Sequence, residues 1–254
     1  MTQAKKRFGQ HFLSNQGVIQ KIIYSIKHFY DEDHWILEIG PGQGALTRVL
    51  LKEGFKVLAV DIDRDCVEIL QKKFAQEIEE ERFKIVQADI LNCHFQSIIE
   101  QKIKIAVGNL PYNVGSQIVF KFMEECLDVK HMAFMLQKEV VLRFCASSIG
   151  QRKHYGIPAL CFQYLFDYCD HFWIQRGSFN PPPKVESGFF TATRKELVKI
   201  DKQYFNFKKV IKSAFSQRRK MMRGYYQYSL PDAMSAKRAE ELTFDDFISL
   251  SQML

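Results

Sequence analysis

The chain has 254 residues, with 36 Lys plus Arg against 29 Asp plus Glu and so a formal charge of +7; at about 150 residues per domain this predicts one large or two modest domains. Apolar residues at 46% and charged residues at 26% are ordinary globular proportions, which excludes a disordered or collagen-like chain. The longest uncharged apolar-rich stretch, Tyr155 to Phe166, is too short for a membrane span and reads as core.

Lys5, Lys6 and Arg7 are not followed by an apolar run, so a secretory signal is not expected. Trp35 to Ile39 is a short apolar strand ending in a glycine-rich turn, and Ala45 to Leu51 has helical spacing closed by Gly54. Lys56 to Asp61 is the next strand, followed by a helical stretch from Arg64 to Glu80 and a strand over Phe83 to Gln87. Lys102 to Val107 and His131 to Leu136 are further strands, with a helix over Gln117 to Cys126 between them. Strands alternating with helices predict an α/β fold whose mostly parallel sheet is covered on both faces.

Beyond this the rhythm changes. Cys161 to Tyr168 and Gly188 to Thr193 are apolar and β-prone, and they flank a stiff loop with three prolines, Pro181 to Pro183. From residue 197 the pattern is helical, which predicts a first domain over 1–196 and a second over 197–254. The six cysteines form no Cys-x-x-Cys pair and have no spaced histidine companions, so no metal site is expected and free thiols in a reducing cytosol are.

Charge is unevenly placed. Residues 1–30 hold five basic groups and no acid, residues 202–230 hold eight and no acid, and the rest of the chain therefore sums to −6. Such segregation suits a polyanion, because each neutralised phosphate releases a counterion. A solvated helix face gives the same pattern. Aromatic residues from Tyr204 to Tyr228 interleave with the second run; a packed core takes most of these rings and leaves base stacking to a few.

Glu38 to Gly44 closes one strand and opens a helix, the setting in which glycines let a backbone approach a nucleotide-like ligand. Asp61 ends the next strand about 20 residues on, placed to accept hydrogen bonds from ribose hydroxyls. This spacing suits adenosyl cofactors in general and does not choose between S-adenosylmethionine and NAD. Asp89 follows the third strand, where a carboxylate either accepts the amino group of a bound adenine or caps a helix.

Asn109-Leu110-Pro111-Tyr112 follows the fourth strand, at the sheet edge where open α/β sheets place ligands. An exocyclic amine is a poor nucleophile because its lone pair is delocalised into the ring. The Asn109 amide oxygen and the Leu110 carbonyl can each accept an amine hydrogen, which favours a more tetrahedral nitrogen. Pro111 holds Leu110 extended, and Tyr112 offers a face for stacking. No Ser/His/Asp or Cys/His arrangement competes with this tetrad.

These residues resemble the small-subunit ribosomal RNA adenine dimethyltransferases. The resemblance runs through Arg7 to Leu13, Glu38 to Gly44, Gly108 to Asn113, Met135 to Val141, Ser178 to Ser187, Phe215 to Lys220 and Arg238 to Glu240. It implies a class I S-adenosylmethionine-dependent methyltransferase sheet, Rossmann-like, with a small helical C-terminal domain that binds RNA. It implies two methyl transfers to each of two adjacent adenosines near the 3′ end of 16S rRNA, a part in small-subunit biogenesis, and a cytoplasmic, monomeric enzyme. Carried over by residue, His11 and Leu13 line the cofactor entrance, Gly40 and Gly42 approach the methionine part, Asp61 holds the ribose, and Asp89 reads the adenine. Asn109 and Tyr112 serve the target base, and Phe179 resembles the aromatic that closes on its other face. Lys5, Lys6, Arg7, Arg218, Arg219, Lys220 and Arg223 are assigned to RNA phosphates. Three positions depart from common family forms: His11 for asparagine, Asp61 for glutamate, and Gly115-Ser116 for a Ser-Thr pair. A macrolide-resistance methyltransferase acting on large-subunit RNA, a non-catalytic RNA-binding factor and an NAD oxidoreductase are the competing readings.

Overall fold

The structure, a computed structural model, describes residues 11–95, 99–148 and 150–254, with the backbone alone at Tyr168 and Cys169. Lys5, Lys6 and Arg7 lie outside the described residues. Contacts divide the chain into two compact units: the residues up to Lys138 with Cys169–Arg194, and Glu139–Tyr168 with Lys195–Leu254.

The first unit opens with β1 (Phe12–Leu13) and α1 (Gln16–Lys27), whose Ile19, Ile22, Ile23 and Ile26 form one buried stripe. The Asn15 side chain caps this helix, accepting from the Val18 N–H at 3.1 Å. There follow β2 (Trp35–Ile39), α2 (Ala45–Lys52), β3 (Val57–Asp61), α3 (Arg64–Lys73), α4 (Ala75–Glu79), β4 (Phe83–Gln87), β5 (Ile103–Asn109), α5 (Gly115–Glu125) and β6 (His131–Gln137). The helix expected over 64–80 is thus two helices, broken where Phe74 turns its ring inward against Phe83 at 5.3 Å. The sheet is completed by β7 (Phe166–Ile174) and β9 (Ser187–Arg194), and a short β8 (Phe179–Asn180) pairs separately with β1.

Strand order is β4-β3-β2-β5-β6-β9-β7, with β4 to β6 parallel and β9 antiparallel to β6. The order reverses between β2 and β5. At such a switch point the loops leaving two neighbouring strands diverge and open a crevice at their carboxyl ends. The glycine turn after β2 and Asn109 at the end of β5 both lie there. Gly115 opens α5 hard against the sheet: a Cβ on it would stand 2.4 Å from Leu136 Cδ2, so a side chain there requires that leucine to shift.

The second unit contains most of α6 (Lys138–Phe144), then α7 (Ile157–Leu165), α8 (Lys202–Ala214), a short α9 (Asp232–Ser235) and α10 (Phe244–Gln252). Cys161 to Leu165 is therefore helix, not the expected strand; only from Phe166 is the chain extended. The stretch 139–168, expected with the N-terminal part, groups with the C-terminal segment because Tyr164 lays its ring against Tyr204 and Phe207 at 5.1 and 4.8 Å. Tyr204 and Phe207, set between lysines in sequence, are wholly buried. No described helix is long and apolar enough to cross a membrane.

Candidate active site

A cavity of about 630 Å³ opens at the switch point, within the size range of small-molecule sites. Its wall brings together His11, Leu13, Gly40, Gly42, Asp61 and the whole of Asn109 to Tyr112. Between β2 and α2, Gly40, Gly42 and Gly44 have φ of +66°, +55° and +75°, a left-handed run that side chains rarely adopt. At Gly42 space is closed as well: a Cβ would stand 2.9 Å from the ring of Phe12. The backbone itself therefore forms this wall.

Asp61 ties the loops together. Its Oδ2 accepts the Gly42 N–H at 3.1 Å and its Oδ1 the Asp63 N–H at 2.9 Å. The Ile62 N–H reaches this carboxylate as well, and of its four lone pairs one remains to accept a hydroxyl donor in the cavity. Burial pushes the Asp61 carboxyl up, against the pull of these N–H groups. Glu38, one residue before the end of β2, is 2% exposed and accepts the Thr47 hydroxyl at 2.7 Å. Burial, with the Asp61 charge adding to it, pushes the Glu38 carboxyl up to about 7. Acidic acceptors, positive-φ glycines and apolar Leu46 and Ile62 on one wall fit an adenosyl group with hydroxyl and ammonium donors.

Asn109 is oriented by the N-terminal strand: its Nδ2 donates to the His11 carbonyl at 2.7 Å, which leaves Oδ1 as an acceptor. The Leu110 N–H donates to Met135 on β6 at 3.0 Å, fixing the tetrad to the sheet. Tyr112 lies with its ring centroid 5.3 Å from that of His11, tilted by 39°, and its hydroxyl hydrogen-bonds the Ser187 hydroxyl. The Pro181 carbonyl accepts from His11 Nδ1 at 2.9 Å.

Phe179 and Asp89 are not among the residues that line the cavity, and Arg218 has its charge engaged within its own unit. Phe179 is 3% exposed and packs in the core with Leu13 and Phe189. Successive strand residues face opposite ways, so with Asn180 on the cavity wall Phe179 must face the core. Asp89 is not on the wall: its Oδ1 accepts the Leu91 N–H at 2.9 Å and its Oδ2 the Asn92 side chain at 2.6 Å, closing a turn. Arg218 lies in the second unit with its guanidinium engaged by Glu240 and by the carbonyls of Arg152 and Lys153. Phe12, Glu38 and Asn180 are on the wall without having been singled out. For Glu38 the signal was present, an acid inside an otherwise apolar strand. Among the described residues, no group of three or more His, Cys, Asp and Glu could hold a metal ion.

Comparison with known proteins adds a family. A model of the family described as "Ribosomal RNA adenine dimethylase" matches residues 1–248. A ribosomal RNA small subunit methyltransferase A from Coxiella burnetii is 38% identical over 258 residues, covering 98% of this chain and 97% of its own. One from Pseudomonas aeruginosa is 37% identical over 261 residues, covering 99% and 95%. In fold, the chain is similar to a dimethyladenosine transferase from Plasmodium falciparum, with a TM-score of 0.79 at 24% identity over 94% of this chain and 96% of that one. The 23S rRNA methyltransferase ErmE gives 0.71 at 20% identity over 96% and 99%.

Proposed function

The chain belongs to the ribosomal RNA adenine dimethylase family, and from that premise we propose how its cavity serves the reaction. The protein is an rRNA adenine dimethyltransferase that modifies the exocyclic amino groups of two adjacent adenosines near the 3′ end of small-subunit 16S rRNA. S-adenosylmethionine, when bound, supplies a methyl group on a positively charged sulfur that is already a good leaving group. Gly40 and Gly42 accommodate its methionine part, Asp61 accepts its ribose hydroxyls, and His11 and Leu13 flank the entrance.

The observation that carries the reading is the Asn109 amide, held by the His11 carbonyl on the same wall as Asp61. Its Oδ1 accepts one hydrogen of the adenine amine and the Leu110 carbonyl accepts the other. Both bonds strengthen as the nitrogen becomes tetrahedral, so they lower the barrier rather than merely tighten binding. Tyr112 stacks the extruded base, which offsets part of the few kcal/mol needed to unstack it. The exposed cations Arg219, Lys220 and Arg223, with Lys5, Lys6 and Arg7, neutralise phosphates of the small subunit, and the enzyme acts as a cytoplasmic monomer.

Offered both unmethylated ribosomal subunits with labelled S-adenosylmethionine, the protein is expected to label small-subunit RNA as dimethyladenosine. Asn109→Ala should slow this by about 100-fold or more while the affinity for the methyl donor falls far less. Label confined to large-subunit RNA would overturn the substrate, and unchanged turnover in Asn109→Ala would overturn the role of the amide.

A further inference from the structure

Tyr112 presents its ring to the cavity, but its hydroxyl is anchored far along the chain. It hydrogen-bonds the hydroxyl of Ser187, the first residue of β9, which is wholly buried. Ser187 stands opposite Gln137 at the last rung of the β6–β9 ladder. The next step is clamped too: the Lys138 N–H donates to the Glu186 carbonyl at 2.9 Å and Lys138 Nζ to Glu186 Oε2 at 2.8 Å. The serine is thus fixed to the sheet, whereas Tyr112 belongs to a turn closed by the Val114 N–H on the Pro111 carbonyl at 3.2 Å. A phenol ring has two side-chain torsions. A bond at the oxygen, the atom farthest from the backbone, restrains both.

We propose that Ser187 is a positioning residue for methyl transfer. By holding the Tyr112 hydroxyl it sets the tilt of the ring on which the target adenine stacks, and so aims the amine at the acceptors of Asn109 and Leu110. This rests on the reading of the cavity as a ribosomal RNA adenine methyltransferase site. Space filling alone would be served by phenylalanine; the hydroxyl pair adds direction. A small error in aim is costly, since about 1 Å of misplacement can lower a rate by about 100-fold.

The test compares Ser187→Ala, Tyr112→Phe and the double variant with the wild-type protein on undermethylated small subunits. It reads kcat, KM for the subunit, affinity for S-adenosylmethionine by calorimetry, and the unfolding midpoint. Each single substitution should lower kcat about tenfold, with KM and donor affinity within about twofold of wild type. The double variant should be no slower than the slower single one, because both remove the same bond. Wild-type kcat in Ser187→Ala or in Tyr112→Phe, or a double loss equal to the product of the single losses, would overturn this proposal alone. A wild-type protein that methylates neither subunit would overturn the reading of the site, and this proposal with it.

Discussion

Glu38 lies in a strand whose neighbours Ile36, Leu37 and Ile39 are all core, and its carboxyl meets the hydroxyl and the backbone N–H of Thr47 and the field of Asp61. Unfolded, it gives up its proton near the ordinary 4.5; folded, it keeps the proton to about 7. Between those values the folded state binds more protons, so stability falls as pH rises through the window and the full cost is present above about pH 7. The cost is on the order of 3 kcal/mol, at about 1.4 kcal/mol for each pH step between the two values. Glu38→Gln keeps an acceptor for Thr47 and removes the titration. Its unfolding free energy should match wild type near pH 4 and exceed it by an amount of that order at pH 8, read from urea midpoints. A gap that does not grow with pH would show that Glu38 is ionised in the native protein at little cost. Residues of this kind were only partly legible in the sequence. The place of Asn109 to Tyr112 on the cavity wall could be read, because the four residues follow a strand at the edge where open α/β sheets hold ligands. Phe179 could not, because a strand of two residues shows no alternation and only its pairing with Leu13 decides which way it faces.

At the scale of elements, the central strands were legible because buried parallel strands are continuous apolar runs between turn residues. The α7 segment was not: Ala159, Leu160, Cys161, Phe162, Tyr164 and Leu165 are all buried, so no polar face marks a helical period. Its start at Pro158, which suits a first helical turn, was the available signal. The joint between α5 and β9 was equally hidden. Arg194, the last residue of β9 and 7% exposed, donates from its guanidinium to the carbonyls of Met123, Cys126 and Val129 at 3.0, 3.2 and 3.3 Å. These include orphan carbonyls at the C-terminal end of α5, where a cation also meets the negative end of the helix dipole. Arg194→Ala leaves buried acceptors without their donors and is expected to cost about 3 kcal/mol in chemical denaturation. Arg194→Lys should recover only a fraction, since one ammonium cannot reproduce the planar fork. A loss below about 0.5 kcal/mol would mean that water replaces the guanidinium freely.

Across the whole molecule, the net charge of +7 hides a body at −6 carrying two basic segments. Sequence alone gives every cation in the second segment equal standing; the fold separates them. Arg218 is committed inside its own unit, its Nε donating to Glu240 at 2.8 Å and its Nη2 to the Lys153 carbonyl at 3.1 Å. Arg219, Lys220 and Arg223 are exposed and reach solvent with their charge. A phosphate lost from a contact set reduces the dependence of log affinity on log salt by about 0.7 to 0.9. Arg219→Ala with Lys220→Ala should therefore flatten that slope by about 1 to 2 for small-subunit binding, measured between about 50 and 200 mM salt. Arg218→Ala should leave the slope in place and instead lower stability by about 1 to 2 kcal/mol, because the two carbonyls and Glu240 lose their shared donor. The reverse pattern, a flattened slope from Arg218→Ala and none from the exposed pair, would mean that the internal bonds of Arg218 open when RNA arrives and that its neighbours are ordinary solvated surface.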